Sequence, residues 1–191
     1  MQRESRFTGP SAHCQHPEYW TAEDMESTEN EVVDLVAAFV RALQPEYVVE
    51  TGTAFAQSSM AIGAALKRNG HGRLVTLEIS EDRVLAARRA CEGLPVEVVH
   101  RSSLEWLPEE PIGFLWLDSV GSIRAQELLR YLPWLTARTI VGIHDTAPHH
   151  PTRSFLEPLA AAGLIRPIYL HTPRGVAFAE VLATASTLQQ A

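Results

Sequence analysis

The chain has 191 residues, and its 16 Lys and Arg against 23 Asp and Glu give a formal net charge of −7. This length favours one domain with a sizeable core. An acidic chain without a basic cluster argues against nucleic acid and anionic membrane surfaces as main partners, because both bind clustered Lys and Arg. We expect a cytoplasmic protein, because no stretch approaches the roughly 18 apolar residues of a membrane-spanning helix and the N-terminus has no apolar signal segment.

The chain begins with a polar segment that has few periodic apolar positions, and we interpret residues 1–29 as an irregular N-terminal arm or lid. The two cysteines, Cys14 and Cys91, have neither a CxxC nor a metal-ligand spacing, which is typical of free thiols in a reducing compartment. Residues 30–183 are predicted to form the folded domain, and residues 184–191 a C-terminal tail.

Helices and strands alternate through the folded domain. Apolar residues at helical spacing, with Pro, Gly or Ser at the ends, indicate the helices, and short apolar runs indicate the strands. In chain order the predicted elements are helix Asn30–Leu43, strand Tyr47–Glu50, helix Ser58–Arg68, strand Arg73–Leu77, helix Ser80–Glu92, strand Val96–His100, strand Ile112–Leu117, helix Ile123–Leu135 with an interruption near Pro133, strand Thr139–Ile143, helix Thr152–Ala162, strand Ile165–Leu170 and strand Val176–Val181.

This alternation predicts an α/β fold built from βαβ units around a parallel sheet. Nearly continuous apolar runs such as FLWL at 114–117 are typical of strands covered on both faces. Only His171–Gly175 joins the last two strands, and a parallel crossover needs about a dozen residues or more, so these strands must form an antiparallel hairpin. The sequence therefore predicts a doubly wound sheet that ends in an antiparallel hairpin.

The loop after the first strand, Thr51–Ala56, is rich in small residues and lies at the sheet edge where open parallel sheets bind ligands. It lacks the G-x-G-x-x-G of dinucleotide sites, and the carboxylate of Glu50 would repel a phosphate there. The amino group and sulfonium of S-adenosylmethionine would instead be attracted by Glu50. Glu78 at the end of the second strand could accept hydrogen bonds from both ribose hydroxyls.

Five segments taken in order resemble the motifs of class I S-adenosylmethionine-dependent methyltransferases: VVETGTAFAQSSMAIGAAL (48–66), LVTLEIS (74–80), HRSSLEWL (100–107), FLWLDSVGS (114–122) and VGIHDTAP (141–148). The chain is most similar to bacterial small-molecule O-methyltransferases of the cephalosporin-hydroxylase and macrocin-methyltransferase kind, over roughly residues 25–181. The resemblance implies a Rossmann-like doubly wound seven-stranded sheet, mostly parallel, with an antiparallel C-terminal hairpin strand. It also implies a small-molecule methyl acceptor.

The resemblance further implies which residues bind S-adenosylmethionine. The residues implied at the methionine end are Ser27 in the lid segment, Glu50, Gly52, Thr53, Ser58 and Asp118. The residues implied at the nucleoside end are Glu78 on the ribose, Ile79 against the adenine, and Ser102 and Ser103 at the adenine edge.

The chain departs from the family pattern at three places. Ala54 and Ala56 stand where the family loop has its later glycines, and Ser102 replaces the usual Asp of the adenine motif. The segment after Asp118 has no His, although the related subgroup often reads D-G-x-H there.

Catalysis has two alternative centres at the ends of the fourth and fifth strands. Asp118 and Asp145 could together bind Mg²⁺, a hard cation that prefers oxygen ligands, although Thr146 is a weak third ligand. His144 could instead act as a general base near neutral pH, or it could be structural. The sequence leaves both the metal and the base open, with His144, Asp145 and Asp118 as the catalytic candidates.

Three functions compete at this stage. The leading hypothesis is methyl transfer to a hydroxyl of a small molecule, and the second is a regulatory or interaction protein that binds S-adenosylmethionine without catalysis. The third, a nicotinamide-dependent reductase, is disfavoured because the chain lacks both G-x-G-x-x-G and a Lys four residues after Tyr131. A homodimer is left open, because a second subunit could help to form the acceptor pocket.

Overall fold

The structure is a computed structural model that describes residues 6–7, 9–24 and 26–182. Its helices and strands alternate along the chain, as the sequence predicts. The elements are α1 (Asn30–Leu43), β1 (Tyr47–Thr51), α2 (Gln57–Asn69), β2 (Arg73–Glu78), α3 (Glu81–Ala90), β3 (Val96–His100), β4 (Ile112–Leu117), α4 (Arg124–Tyr131), β5 (Leu135–His144), α5 (Pro151–Ala161), β6 (Ile165–Leu170) and β7 (Val176–Val181). The predicted tail at 184–191 lies outside the described residues.

The strands form one sheet in the order β3-β2-β1-β4-β5-β7-β6. Neighbouring strands from β3 to β5 pair in parallel, whereas β7 runs antiparallel to both β5 and β6. The order reverses beside β1, so the carboxyl ends of β1 and β4 diverge into a crevice at a topological switch point. The predicted doubly wound sheet with an antiparallel C-terminal hairpin is confirmed.

Two apolar layers cover the sheet, one on each face. Val48 of β1 packs with α1 and α2, while its neighbour Val49 packs with Leu128 of α4 and Leu156 of α5. Successive side chains of a strand point to opposite faces, so a strand between two helical layers needs apolar residues at consecutive positions. All five residues of β1 are buried for this reason.

The interruption predicted near Pro133 in helix 123–135 is confirmed, but the predicted end of this helix at Leu135 is wrong. Helix α4 ends at Tyr131, a 3₁₀ turn spans Leu132–Trp134, and Leu135 already belongs to β5. Pro133 has no N–H for a helical hydrogen bond, so the chain leaves the α-helix there and the strand begins four residues before the predicted Thr139.

The end of the N-terminal arm closes over the carboxyl edge of the sheet. Glu29 is completely buried, and its Oε1 accepts hydrogen bonds from Thr172 Oγ1 at 2.8 Å and from the backbone N–H of Arg174 at 2.9 Å. These contacts hold residues 26–29 as one wall of the crevice. None of the helices in the described ranges is long and apolar enough to cross a membrane.

Candidate active site

A cavity of about 430 Å³ opens at the carboxyl ends of β1, β2, β4 and β5. This volume falls in the range of small-molecule sites. The predicted site residues that line it are Ser27, Gly52, Thr53, Ser58, Glu78, Ile79, Ser102, Ser103, Asp118 and Asp145. The other two predicted residues, Glu50 and His144, are completely buried and lie outside the cavity lining.

The loop between β1 and α2 forms the floor of the cavity and adopts left-handed backbone conformations. Gly52 has φ +84°, and a Cβ at this position would lie 2.5 Å from the carbonyl oxygen of Asp118. Ala54 and Ala56 also have positive φ, at 45° and 62°. The two alanines therefore occupy backbone states that favour glycine, which is the residue that the related family uses.

Glu50 stabilises this loop from below and does not face the cavity. Its Oε1 accepts a hydrogen bond from Ser58 Oγ at 2.5 Å, and its Oε2 accepts one from Ser59 Oγ. Burial raises the pKa of Glu50 to about 7. Glu50 therefore acts on the cavity through Ser58, which lines it at the start of α2.

Glu78 lies on the cavity wall with a fixed orientation. Its Oε1 accepts hydrogen bonds from the backbone N–H groups of Ile79 and Ser80, and its Oε2 accepts one from Ala54, each at 2.9 Å. Each carboxylate oxygen has two lone pairs, so both of those on Oε1 are occupied and Oε2 keeps one acceptor position for a ligand. Beside it, the side chain of Ile79 is 71% exposed and offers an apolar surface.

A second buried carboxylate, Glu127 of α4, connects the loops on the other side of the cavity. It accepts hydrogen bonds from Thr51 Oγ1 at 3.0 Å, from Ser119 Oγ at 2.8 Å and from Ser103 Oγ. The hydroxyl of Ser103 is thus directed toward Glu127. Burial raises the pKa of Glu127 above its ordinary value.

Asp118 and Asp145 face each other across the ends of β4 and β5, with arginines around them. Arg124 Nη2 donates to Asp118 Oδ1 at 3.2 Å and to Asp145 Oδ2 at 3.0 Å. Arg174 binds Asp145 through Nε at 2.7 Å and Nη2 at 3.1 Å. Thr28 Oγ1 donates to Asp118 Oδ2 at 2.5 Å.

His144 lies behind this cluster with both ring nitrogens bound to carboxylates. Its Nδ1 is 2.9 Å from Asp118 Oδ1, and its Nε2 is 2.6 Å from Glu29 Oε2. Burial opposes the charged ring, but Asp118 and Glu29 raise the pKa of His144 to about 9. Of the two roles that the sequence leaves open, this geometry favours the structural one, because the ring is fully buried and both of its nitrogens contact carboxylates.

Four buried or half-buried charged residues of the site were not predicted from the sequence: Glu29, Arg124, Glu127 and Arg174. Arg124 and Glu127 lie at i and i+3 on the face of α4 that also buries Leu128 and Tyr131. Two charged residues on the apolar face of a predicted helix could have indicated a buried polar site, because buried charges need partners. No nearby residue in the sequence indicated the roles of Glu29 and Arg174. Glu29 pairs with His144, which is 115 residues away in the chain, and Arg174 pairs with Asp145, which is 29 residues away.

A comparison with known protein families identifies a match to this chain. The family model described as a methyltransferase domain (Methyltransf_24) matches residues 49–146, which is more than half of the chain. The match begins in β1 and ends just beyond β5, so it contains all strand ends that form the cavity. The comparison with curated proteins gives no match.

Solved structures with similar folds include several methyltransferases. SAH-bound methyltransferase PaMTH1 of Podospora anserina aligns with a TM-score of 0.71 and 17% identity, over 82% of this chain and 80% of that chain. The O-methyltransferase TomG of Streptomyces achromogenes, in complex with SAM, gives 0.68 and 22% over 82% of each chain. The O-methyltransferase of Bacillus cereus, in complex with SAH, gives 0.66 and 21% over 83% of this chain and 84% of that chain.

These identities show a shared fold, and the family match shows membership. The predicted class is confirmed by both. The chain belongs to the Methyltransf_24 family of methyltransferase domains, with the Rossmann-like fold of class I S-adenosylmethionine-dependent methyltransferases.

Proposed function

We propose that the chain is an S-adenosylmethionine-dependent methyltransferase that acts on a hydroxyl group of a small molecule. The observation that carries the proposal is Glu78, a carboxylate fixed by three backbone N–H groups at the end of β2, inside a cavity of suitable volume. A carboxylate in this position suits the ribose of a nucleoside, because Oε2 keeps one lone pair for a ribose hydroxyl. The O-methyltransferases of similar fold that are bound to SAM or SAH support the same ligand and reaction.

We assign the adenine and the methionine end of the cofactor to different parts of the cavity, with the ribose at Glu78 between them. The adenine would contact Ile79, Ser102 and Ser103, and the methionine end would lie along Gly52, Thr53 and Ser58 toward Ser27 and Asp118. All of these residues line the cavity. The loop 52–58 contains no Lys or Arg, although Arg83 lies over the ring of Phe55 at 5.3 Å. The carboxylate of Glu78, which accepts a hydrogen bond from Ala54 of this loop, suits a cationic ligand better than a phosphate.

Asp118 is the residue that we assign to the acceptor hydroxyl. When bound, the cofactor supplies the methyl group: the acceptor oxygen bonds to the methyl carbon as the sulfonium S–C bond breaks, and the hydroxyl proton leaves. Asp118 lines the cavity, and its Oδ2 accepts one hydrogen bond, from Thr28, so a lone pair is left to orient the hydroxyl and take its proton. In contrast, both oxygens of Asp145 are bound to arginine, and His144 is closed to solvent.

A second candidate function is binding of S-adenosylmethionine without catalysis. The enclosed cluster around Asp145 and His144 favours it, because these two predicted catalytic groups are committed to structural partners. If the chain does catalyse methyl transfer, Asp118 is the one predicted catalytic residue left to take part in it. The two functions differ in whether any acceptor is methylated.

The test combines calorimetry with a methyl-transfer screen. We expect SAM and SAH to bind the full chain and NAD not to bind, and SAH to form with at least one phenol, catechol or sugar alcohol in an acceptor library. Asp118→Asn should lose transfer even at SAM concentrations that saturate the variant, whereas the exposed control Glu105→Gln should change neither transfer nor SAM affinity. SAM binding without transfer to any acceptor would favour the second function, and binding of NAD alone would contradict both.

A further inference from the structure

Arg124 occupies the space between the two acids that end β4 and β5. Its guanidinium is 2% exposed and donates to Asp118 and Asp145 through the same nitrogen, Nη2, at 3.2 and 3.0 Å. We propose that Arg124 is a built-in cation that takes the place of a divalent metal ion, so that the two strand-end acids of this chain do not bind a metal. This proposal is the opposite of the alternative, left open by the sequence, in which Asp118 and Asp145 bind Mg²⁺.

The spacing of the acids alone would suit a metal ion. Donor atoms of Asp118, His144 and Asp145 lie within 4.8 Å of one another. Both lone pairs of Asp118 Oδ1 and of Asp145 Oδ2, however, already accept hydrogen bonds, so each acid keeps one lone pair, on Asp118 Oδ2 and on Asp145 Oδ1. Asp118 Oδ1 accepts from Arg124 and His144, and Asp145 accepts from Arg124 and Arg174.

The charges of the cluster balance without a metal. Two permanent cations, Arg124 and Arg174, neutralise two carboxylates, Asp118 and Asp145, while His144 is paired with Glu29 through its other nitrogen. A divalent ion would add two positive charges next to guanidinium groups that cannot lose a proton. Like charges in direct contact repel strongly in a buried site, where little water screens them. The donor set therefore does not fit a divalent cation.

Arg124 is also held so that it cannot swing aside to admit an ion. Its Nε donates to the carbonyl oxygen of Ser119 at 2.9 Å, and its Nη1 donates to the carbonyl oxygen of His144. It is the first residue of α4, where the helix dipole disfavours a cation. The ion pairs and carbonyl contacts therefore outweigh the dipole.

The cavity side of Asp118 stays usable in this arrangement. Arg124 and His144 contact Oδ1, whereas Oδ2 contacts Thr28. The inferred arrangement fixes Asp118 from behind with a guanidinium, in the position where a metal ion would otherwise orient the acceptor. It implies that a chelator leaves methyl transfer unchanged.

Cation titration of the full chain tests this inference without cofactor or acceptor, so failure of the proposed function would not affect it. We expect Mn²⁺ and Mg²⁺ to give no saturable binding to the wild type in the millimolar range that weak protein sites reach. In Arg124→Met we expect saturable Mn²⁺ binding, at least about tenfold tighter than any wild-type signal. The thermal midpoint of this variant should also rise with Mn²⁺, because a bound ion stabilises the folded state.

Arg166→Met is the matched control, because Arg166 forms an exposed ion pair with Glu180 on the outer strands. It should titrate like the wild type. Saturable Mn²⁺ binding by the wild type that Asp118→Asn removes would overturn the inference, and this result does not depend on whether Arg124→Met folds. An Arg124→Met variant that folds but binds no Mn²⁺ would overturn it equally, because the acids would then not form a cation site.

Discussion

The two halves of the cavity edge hold their carboxylates in opposite ways. At the ends of β1 and β2, Glu50 and Glu78 accept hydrogen bonds from serine hydroxyls and backbone amides, which are neutral donors. At the ends of β4 and β5, Asp118 and Asp145 contact guanidinium groups. Strand-end acids that look alike in sequence thus differ in the charge of their partners.

The difference sets the electrostatics of each half. Burial raises the pKa of Glu50 to about 7, because hydroxyl donors do not offset the loss of water. Burial acts on Asp145 in the same direction, but His144, Arg124 and Arg174 hold the pKa of Asp145 well below its usual range. Among the residues that the structure describes, no Lys or Arg forms an ion pair with Glu50 or Glu78, which suits a cationic cofactor, whereas Arg124 and Arg174 neutralise Asp118 and Asp145.

The largest predicted effect concerns Glu50 and the pH dependence of stability. A carboxyl whose pKa rises from 4.5 unfolded to about 7 folded contributes stability that is full below pH 4.5 and is lost as the pH rises through about 7. A shift of this size corresponds to about 3 kcal/mol. We therefore expect the wild type to lose about 3 kcal/mol of unfolding free energy relative to Glu50→Gln between pH 4.5 and 8, measured by urea unfolding.

The exposed acid Glu105 provides the control, since Glu105→Gln should change the unfolding free energy by no more than about 0.5 kcal/mol. If the difference in unfolding free energy between the wild type and Glu50→Gln did not change with pH, the two halves would not differ in electrostatics as described. Glu50 would then be as well compensated by its serines as Asp145 is by its arginines.

The next prediction tests whether the neutral-donor half is the ligand site. Glu78→Ala removes the carboxylate assigned to the ribose, and hydrogen bonds to a charged group contribute about 1.5–3 kcal/mol. We expect SAM affinity, measured by calorimetry, to fall by about 10- to 100-fold. The matched control is Glu81→Ala, an exposed acid three residues later at the start of α3, which should bind SAM like the wild type.

Glu78 also anchors three backbone amides, so the melting temperature of Glu78→Ala must be measured beside its affinity. Unchanged affinity in a folded variant would make the ribose assignment wrong. The presence of neutral donors around Glu50 and Glu78 would then no longer indicate where the cofactor binds.

The sequence predicts the first half better than the second for a physical reason. Glu78 and the loop around Gly52 are fixed by backbone groups within about 25 residues along the chain, so their placement follows from strand and loop order. The cluster on Asp118 joins Thr28, Arg124, His144 and, through Asp145, Arg174, and such distant pairings depend on the complete fold. Residue type and strand position predicted a cavity edge there, but not that its acids were already neutralised.

The smallest predicted effect lies in the loop of the neutral-donor half. Ala54 has φ 45°, and the left-handed region costs a non-glycine residue about 1–2 kcal/mol, part of which glycine returns as unfolded-chain entropy. We expect Ala54→Gly to stabilise the fold by up to about 1 kcal/mol in urea unfolding. Ala56→Gly should have almost no effect, because Ala56 is completely buried and losing its methyl group costs about 0.8 kcal/mol. Destabilisation by Ala54→Gly would mean that the alanine contributes contacts that the family's glycine lacks.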